Sequence, residues 1–265
     1  MKIDIVPYCG LGNRINVLAN ALALQTVAQH EITLFWDKTW DCRAWFDELF
    51  LPIEGLRVQR LSKFYMKSPG KRQLWLPRLL RSFVYDKCYK ARRIHDSEML
   101  LTKTPTDGKI FVEGNRPFCP VVEQSMLSRY FVPIPEIQQR IEQFVARYTS
   151  YTIGVHVRRT DHRAVIASNP LEGYVAEMKR QQKHHPNCLF YIASDDTSVK
   201  AFMRSLFPGR VLTLEELSLD RNSVSGMQDS VLELFCLAKA NLIIGSKGST
   251  YSALATKLFD TPIVY

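Results

Sequence analysis

The sequence has no long apolar run. No stretch approaches the ~18–20 residues that a membrane span needs. The opening, MKIDIVPYCGLGNR, has neither the apolar core nor the small-residue cleavage site of a signal peptide. Cysteine is sparse. Six residues (9, 42, 88, 119, 188 and 236) are scattered without a CxxC pair, which reads as reduced thiols filling the core of a cytosolic protein. There is no HExxH, no Cys/His ligand spacing, no GxSxG and no GxxxxGK[ST]. Those gaps argue against a zinc site, an α/β-hydrolase nucleophile and a P-loop. No internal repeat or low-complexity tract is found, and 12 Gly and 13 Pro exclude collagen. What remains is an ordinary globular composition: 265 residues, 46% hydrophobic and 23% charged, enough for one large domain or two small ones.

Positive charge is concentrated. The chain carries 35 Lys and Arg against 26 Asp and Glu, a net +9. Between Arg57 and Arg93 there are twelve Lys/Arg and one acid, Asp86, or +11, so the rest of the chain sums to −2. The segment also holds Phe64, Tyr65, Trp75, Phe83, Tyr85 and Tyr89. At its centre, LWLPRLLRSFV sets Leu74, Trp75, Leu79, Leu80 and Phe83 beside Arg78 and Arg81. A basic amphipathic helix of this kind suits an anionic membrane surface. It also suits a phosphorylated acceptor, nucleic acid, or an insertion whose apolar face packs on its own protein.

The pattern of elements is α/β. Ile3–Val6, Ile32–Trp36 and Lys109–Gly114 read as strands, with a helix from Arg14 to about Ala28 and another at Ile137–Tyr148. Residues 37–108 read as irregular. In the second half, strands at 151–157, 188–194, 210–213, 241–245 and 262–265 alternate with helices at about 171–184, 197–206, 227–239 and 250–258. That alternation implies a parallel, doubly wound sheet with right-handed crossovers. The expected division is an N-terminal α/β domain, 1–149, carrying the basic insertion at about 57–93, and a Rossmann-like domain, 150–265. Ligands of such sheets bind at the carboxyl ends of the strands.

The polar clusters of the second half follow its strands. After the first comes His156-Val157-Arg158-Arg159-Thr160-Asp161. Arg158 at a strand mouth can grip phosphate bidentately. Asp161 can orient an arginine or act as a base, and His156 can contact a base or sit satisfied in the core. Next is Ser194-Asp195-Asp196, where one acid can cap the following helix and the other can meet ribose or an arginine. Gly245-Ser246-Lys247-Gly248-Ser249-Thr250 lies between strand and helix, where it can hold an anion or simply cap the helix. Glu233, flanked by apolar residues, needs a partner if buried; guanine N1–H and N2–H₂ would serve, and an exposed acid is the alternative. Near the N-terminus, Gly10-Leu11-Gly12-Asn13-Arg14 lacks the third glycine of GxGxxG, which argues against a nicotinamide cofactor. Asn13 can cap its helix or reach a sugar.

In chain order, GLGNR, HVRRTD, YIASDD and LELFCLAKANLIIGSKGSTYSALA resemble the superfamily of GDP-fucose-dependent fucosyltransferases. The likeness covers most of residues 150–260 and the first thirty. HVRRTD matches the α1,6 group fully, whereas the α1,2 group shows GNQ and RRGD. The resemblance implies a GT-B fold, two Rossmann-like domains facing a cleft, with the donor held mainly by the second. It implies GDP-fucose as donor substrate, inversion, no metal or other cofactor, and a glycan or lipid-linked glycan acceptor. Carried over residue by residue, Arg158 would grip the phosphates, with Arg159 and Asp161 supporting it. His156 and Glu233 would face guanine. Ser194, Asp195 and Asp196 would lie near the nucleotide or brace the arginines, and Gly248, Ser249 and Thr250 would hold a phosphate. Gly12, Asn13 and Arg14 would face fucose and acceptor. Position 233 is Glu where the family often has Asp. The expected location is the cytoplasm, peripheral at the inner membrane face through residues 57–93. A non-catalytic nucleotide-sugar-binding module and a nucleic-acid-binding protein are the alternatives, and the intact phosphate-binding loops argue against the latter.

Overall fold

The computed structural model describes residues 1–28, 30–67, 75–90, 108–116, 118, 126–159, 163–215, 217–218 and 220–265. The chain folds as two compact units. Residues 1–124 with 221–227 form one, and 125–220 with 228–265 form the other. The division expected at 149/150 thus falls earlier. Residues 135–145 form a helix that buries Ile137, Ile141 and Phe144, and Phe144 packs edge-on against Tyr191 of the second unit.

The first unit is built on a parallel sheet. Its elements are β1 (Lys2–Pro7), α1 (Leu11–Ala28), β2 (Glu31–Trp36), β3 (Arg57–Arg60), α2 (Trp75–Val84), β4 (Lys87–Lys90) and β5 (Lys109–Gly114). The strand order is β3-β2-β1-β5-β4, all pairs parallel. The central strands are buried on both faces, as a sheet covered by helices requires. Ile3 pairs with Ile32 on one side and Ile110 on the other, and Ile3 and Ile5 are fully buried. The stretch expected to be irregular therefore supplies both edge strands. They were hidden because RVQR and KCYK carry charge at both ends.

The second unit contains α3 (Pro135–Val145), β6 (Thr152–Val157), α4 (Arg163–Ser168), α5 (Leu171–His184), β7 (Leu189–Ser194), α6 (Thr197–Leu206) and β8 (Val211–Leu212). It continues with most of α7 (Val224–Ala238), then β9 (Leu242–Ile244), α8 (Thr250–Phe259) and β10 (Ile263–Val264). The strand order β10-β9-β6-β7-β8 is wholly parallel, the doubly wound Rossmann order. Ile153, Val155, Val157, Phe190 and Ile192 form its core with Met178 and Met203 from the helices. Gly154 is needed for close packing. A Cβ there would lie 2.6 Å from Leu237 Cδ1, so α7 rests directly on β6. The strand order reverses between β6 and β9, which opens a crevice at their carboxyl ends. No helix among the described residues is long and apolar enough to cross a membrane.

Candidate functional site

The carboxyl ends of β6, β7 and β9 converge on Ser246. Its hydroxyl donates to the His156 carbonyl (2.9 Å) and accepts from the Arg158 N–H (3.2 Å). With its one proton committed, it accepts from the Tyr174 hydroxyl at 2.7 Å. Asn169 fixes the next residue from both sides, accepting from Lys247 N–H (2.7 Å) and donating to Lys247 C=O (3.1 Å). The chain then turns through Gly248 at φ +84°, a left-handed conformation that suits glycine. α8 follows, with Ser249 as its N-cap accepting from Tyr251 N–H. Thr250 is exposed in the first turn.

Arg158 leaves β6 beside this helix terminus, its side chain 19% exposed. Asp195, at the end of β7, braces both arginines. One carboxylate oxygen accepts from Arg159 N–H (2.7 Å) and the other lies 3.9 Å from the Arg158 guanidinium. Arg159 is half-buried, and its Nη2 has no partner among the described residues. A guanidinium, a backbone turn and a helix N-terminus at one crevice make an anion site. Asp161 lies outside the described residues.

Several expected ligand contacts are used within the protein instead. His156 is 6% exposed, its Nδ1 on Ser252 Oγ (2.7 Å) and its ring against Tyr251. Burial, then the Arg158 charge, pushes it down to about 4, so it is a neutral, largely enclosed histidine near neutral pH. Ser194 is 1% exposed; its hydroxyl donates to Val157 C=O and accepts from Asp196 N–H, joining β6 to β7. Asp196 is the N-cap of α6, accepting from Ser198 N–H and Oγ. Ser249's hydroxyl oxygen accepts from the helix as its cap, which leaves its proton to donate to an anion.

Glu233 has a protein partner that sequence reading missed. Lys200 Nζ lies 3.3 Å from its carboxylate, the two side chains 10% and 13% exposed. Burial pushes Glu233 up to about 7, against the opposing pull of Lys200 and the Ser194 backbone. Ser246, Ser252, Tyr174, Asn169 and Lys200 gave no local signal as a group, because their partners lie far along the chain.

In the first unit the glycine turn is shorter than expected. α1 begins at Leu11, so Gly12 and Asn13 lie in its first turn, with Asn13 N–H bonded to Gly10 C=O. Asn13 is therefore inside the helix rather than its cap, and is half-buried. Arg14 is fully buried. Its guanidinium donates to the carbonyls of Cys9 and Asp37 and to Thr39 Oγ1, and packs over Trp36. It cannot touch a ligand directly and instead ties the loops after β1 and β2 together. Among the described residues no cluster of three His, Cys, Asp or Glu could hold a metal ion.

Two parallel α/β units of this kind make a GT-B-like fold, and solved structures share it. The NodZ α1,6-fucosyltransferase, in crystals soaked with GDP-fucose, is similar over 97% of this chain and 92% of its own, with a TM-score of 0.68 and 18% identity. Arabidopsis thaliana FUT1, as a mutant in complex with GDP, is similar over 100% and 70%, with a TM-score of 0.64 and 14% identity. POFUT1 in complex with GDP-fucose is similar over 99% and 96%, with a TM-score of 0.57 and 13% identity. No protein-family model matches the chain, and neither does any curated protein sequence.

Proposed function

We propose that the protein is an inverting, metal-independent glycosyltransferase that moves fucose from GDP-fucose to a hydroxyl of a glycan or lipid-linked glycan. The observation that carries this is the anion site at the switch point of the second sheet: Arg158, braced by Asp195, beside the Gly248 turn and the α8 N-terminus. The fold supports it, since neighbours of the same architecture were crystallised with GDP or GDP-fucose.

In this reading the diphosphate lies against Arg158 and the α8 terminus. The acceptor oxygen attacks the anomeric carbon from the face opposite GDP, and the carbon–phosphate-oxygen bond breaks. Negative charge grows on the departing diphosphate. A fixed guanidinium and helix-terminal N–H groups stabilise it without reorganising. Arg159 and Asp195 hold the loop in place. Glu233, oriented by Lys200, would accept from guanine. For the acceptor proton Asp195 is not available, since it is committed to the arginines, and another carboxylate would take it.

Isothermal titration with GDP, beside UDP and ADP and without added metal, tests the reading. GDP-selective binding is expected. Arg158→Ala should weaken it by roughly 10- to 150-fold, the equivalent of about 1.5–3 kcal/mol for a charge-assisted contact. Equal binding of all three nucleotides, or none, overturns the proposal. GDP binding without turnover of GDP-fucose on any glycan would leave a binding module.

A further inference from the structure

Helix α2 is built inside out for a water-soluble protein. A surface helix ordinarily turns apolar residues inward and charge outward. Here the inward residue among the described side chains is an arginine. Arg81 is 4% exposed and donates to Glu113 (2.6 Å) and to the carbonyls of Tyr65 and Lys67 (2.7 Å each), over the Phe111 ring. Four apolar residues face outward: Leu79 (49% exposed), Leu80 (39%), Phe83 (85%) and Val84 (38%). At about 100° per residue these four share one arc, away from Arg81. Phe64, 49% exposed, lies on the turn at Phe64–Met66 on which α2 packs. The sequence left open that the apolar face packs on its own protein; the described residues do not cover it.

We propose that this face is a docking surface for an anionic lipid bilayer. The chemistry of its surroundings selects that occupant. Lys67, Arg78, Lys87 and Lys90, all exposed, flank the apolar residues in the chain. The only acid of the 57–93 segment, Asp86, is held by the Lys109 N–H at 2.7 Å. A second copy of the chain would bring cations against cations. A bilayer of acidic phospholipid offers what both parts need, acyl chains for Phe83 and its neighbours and headgroup phosphates for the cations. Arg81 fixes the helix to the sheet, so the face is presented rigidly. The inference stands apart from the reading of the donor site.

Vesicle flotation tests it. Wild-type protein should float with phosphatidylcholine vesicles containing about 30% phosphatidylglycerol at low salt, and far less with phosphatidylcholine alone. Salt of about 0.5 M should weaken binding. Phe83→Glu should lower binding at least about tenfold. Arg78→Gln with Lys87→Gln should lower it by about fivefold per cation. All these positions are exposed, so the variants should keep the wild-type melting temperature and GDP binding. Failure of the wild-type protein to float at low salt, or flotation unaffected by Phe83→Glu, overturns the proposal. So does a wild-type dimer that Phe83→Glu dissociates, since a second copy would then be the occupant.

Discussion

His156 and Glu233 are enclosed in the same unit and respond to pH in opposite senses. His156 titrates near 4 when folded against 6.5 when free, so its contribution is full above 6.5 and is lost as pH falls toward 4. Glu233 titrates near 7 against 4.5, so its contribution is full below 4.5 and is lost as pH rises through 7. Between these limits the two offset each other. Removing one should unmask the other. Relative to wild type, His156→Gln should gain stability on acidification from pH 7 to 5, and Glu233→Gln should lose it, each by about 2–3 kcal/mol. Thermal unfolding against pH reads both. Arg14 sets a different expectation. Its fork holds three acceptors at once, and lysine has one nitrogen. Arg14→Lys should therefore cost about 3–5 kcal/mol, read as a lower denaturant midpoint with an unchanged slope.

For α2, Arg81→Met should take from the buried Glu113 its ion-pair partner, at about 3–5 kcal/mol. The double variant Arg81→Met, Glu113→Leu should recover most of that, and a double-mutant cycle by denaturant unfolding measures it. For β6, Gly154→Val should cost about 1–3 kcal/mol by forcing α7 outward; chemical unfolding checks it. What was legible in the sequence follows from the same physics. β6, β7 and β9 are buried on both faces, so their apolar runs announced them. α5 and α6 match the expected spans residue for residue, because a cap or proline marks their starts. β3 and β4 were missed because they are edge strands. Their terminal Arg and Lys guard unpaired backbone, and so part of the basic segment's charge serves the sheet. The inward turn of Arg81 was illegible because its partner, Glu113, lies 32 residues away.

Over the whole molecule, the site was legible only as far as chain position shows it. Arg158, Asp195 and the 245–250 loop follow strands, and parallel topology gathers strand ends. The bonds that organise them could not be read, since Ser246 meets Tyr174 across 72 residues and His156 meets Ser252 across 96. Ligand linkage gives a global readout. GDP at about 100 times its Kd should stabilise the wild-type protein by about 2.7 kcal/mol, and Arg158→Ala should lose most of that shift in thermal melting. The strand orders carry a further consequence, for biosynthesis. In the second sheet the first strands made, β6 and β7, are central partners, so the sheet can grow outward as the chain emerges. In the first sheet β5 is made last yet sits between β1 and β4. A nascent chain that stops before Lys109 has β1 with one edge bare and β4 with no strand to join. Until Gly114 has cleared the ribosome, the unit is a three-stranded fragment prone to pair with other chains, and the hazard lasts as long as translation of that stretch takes.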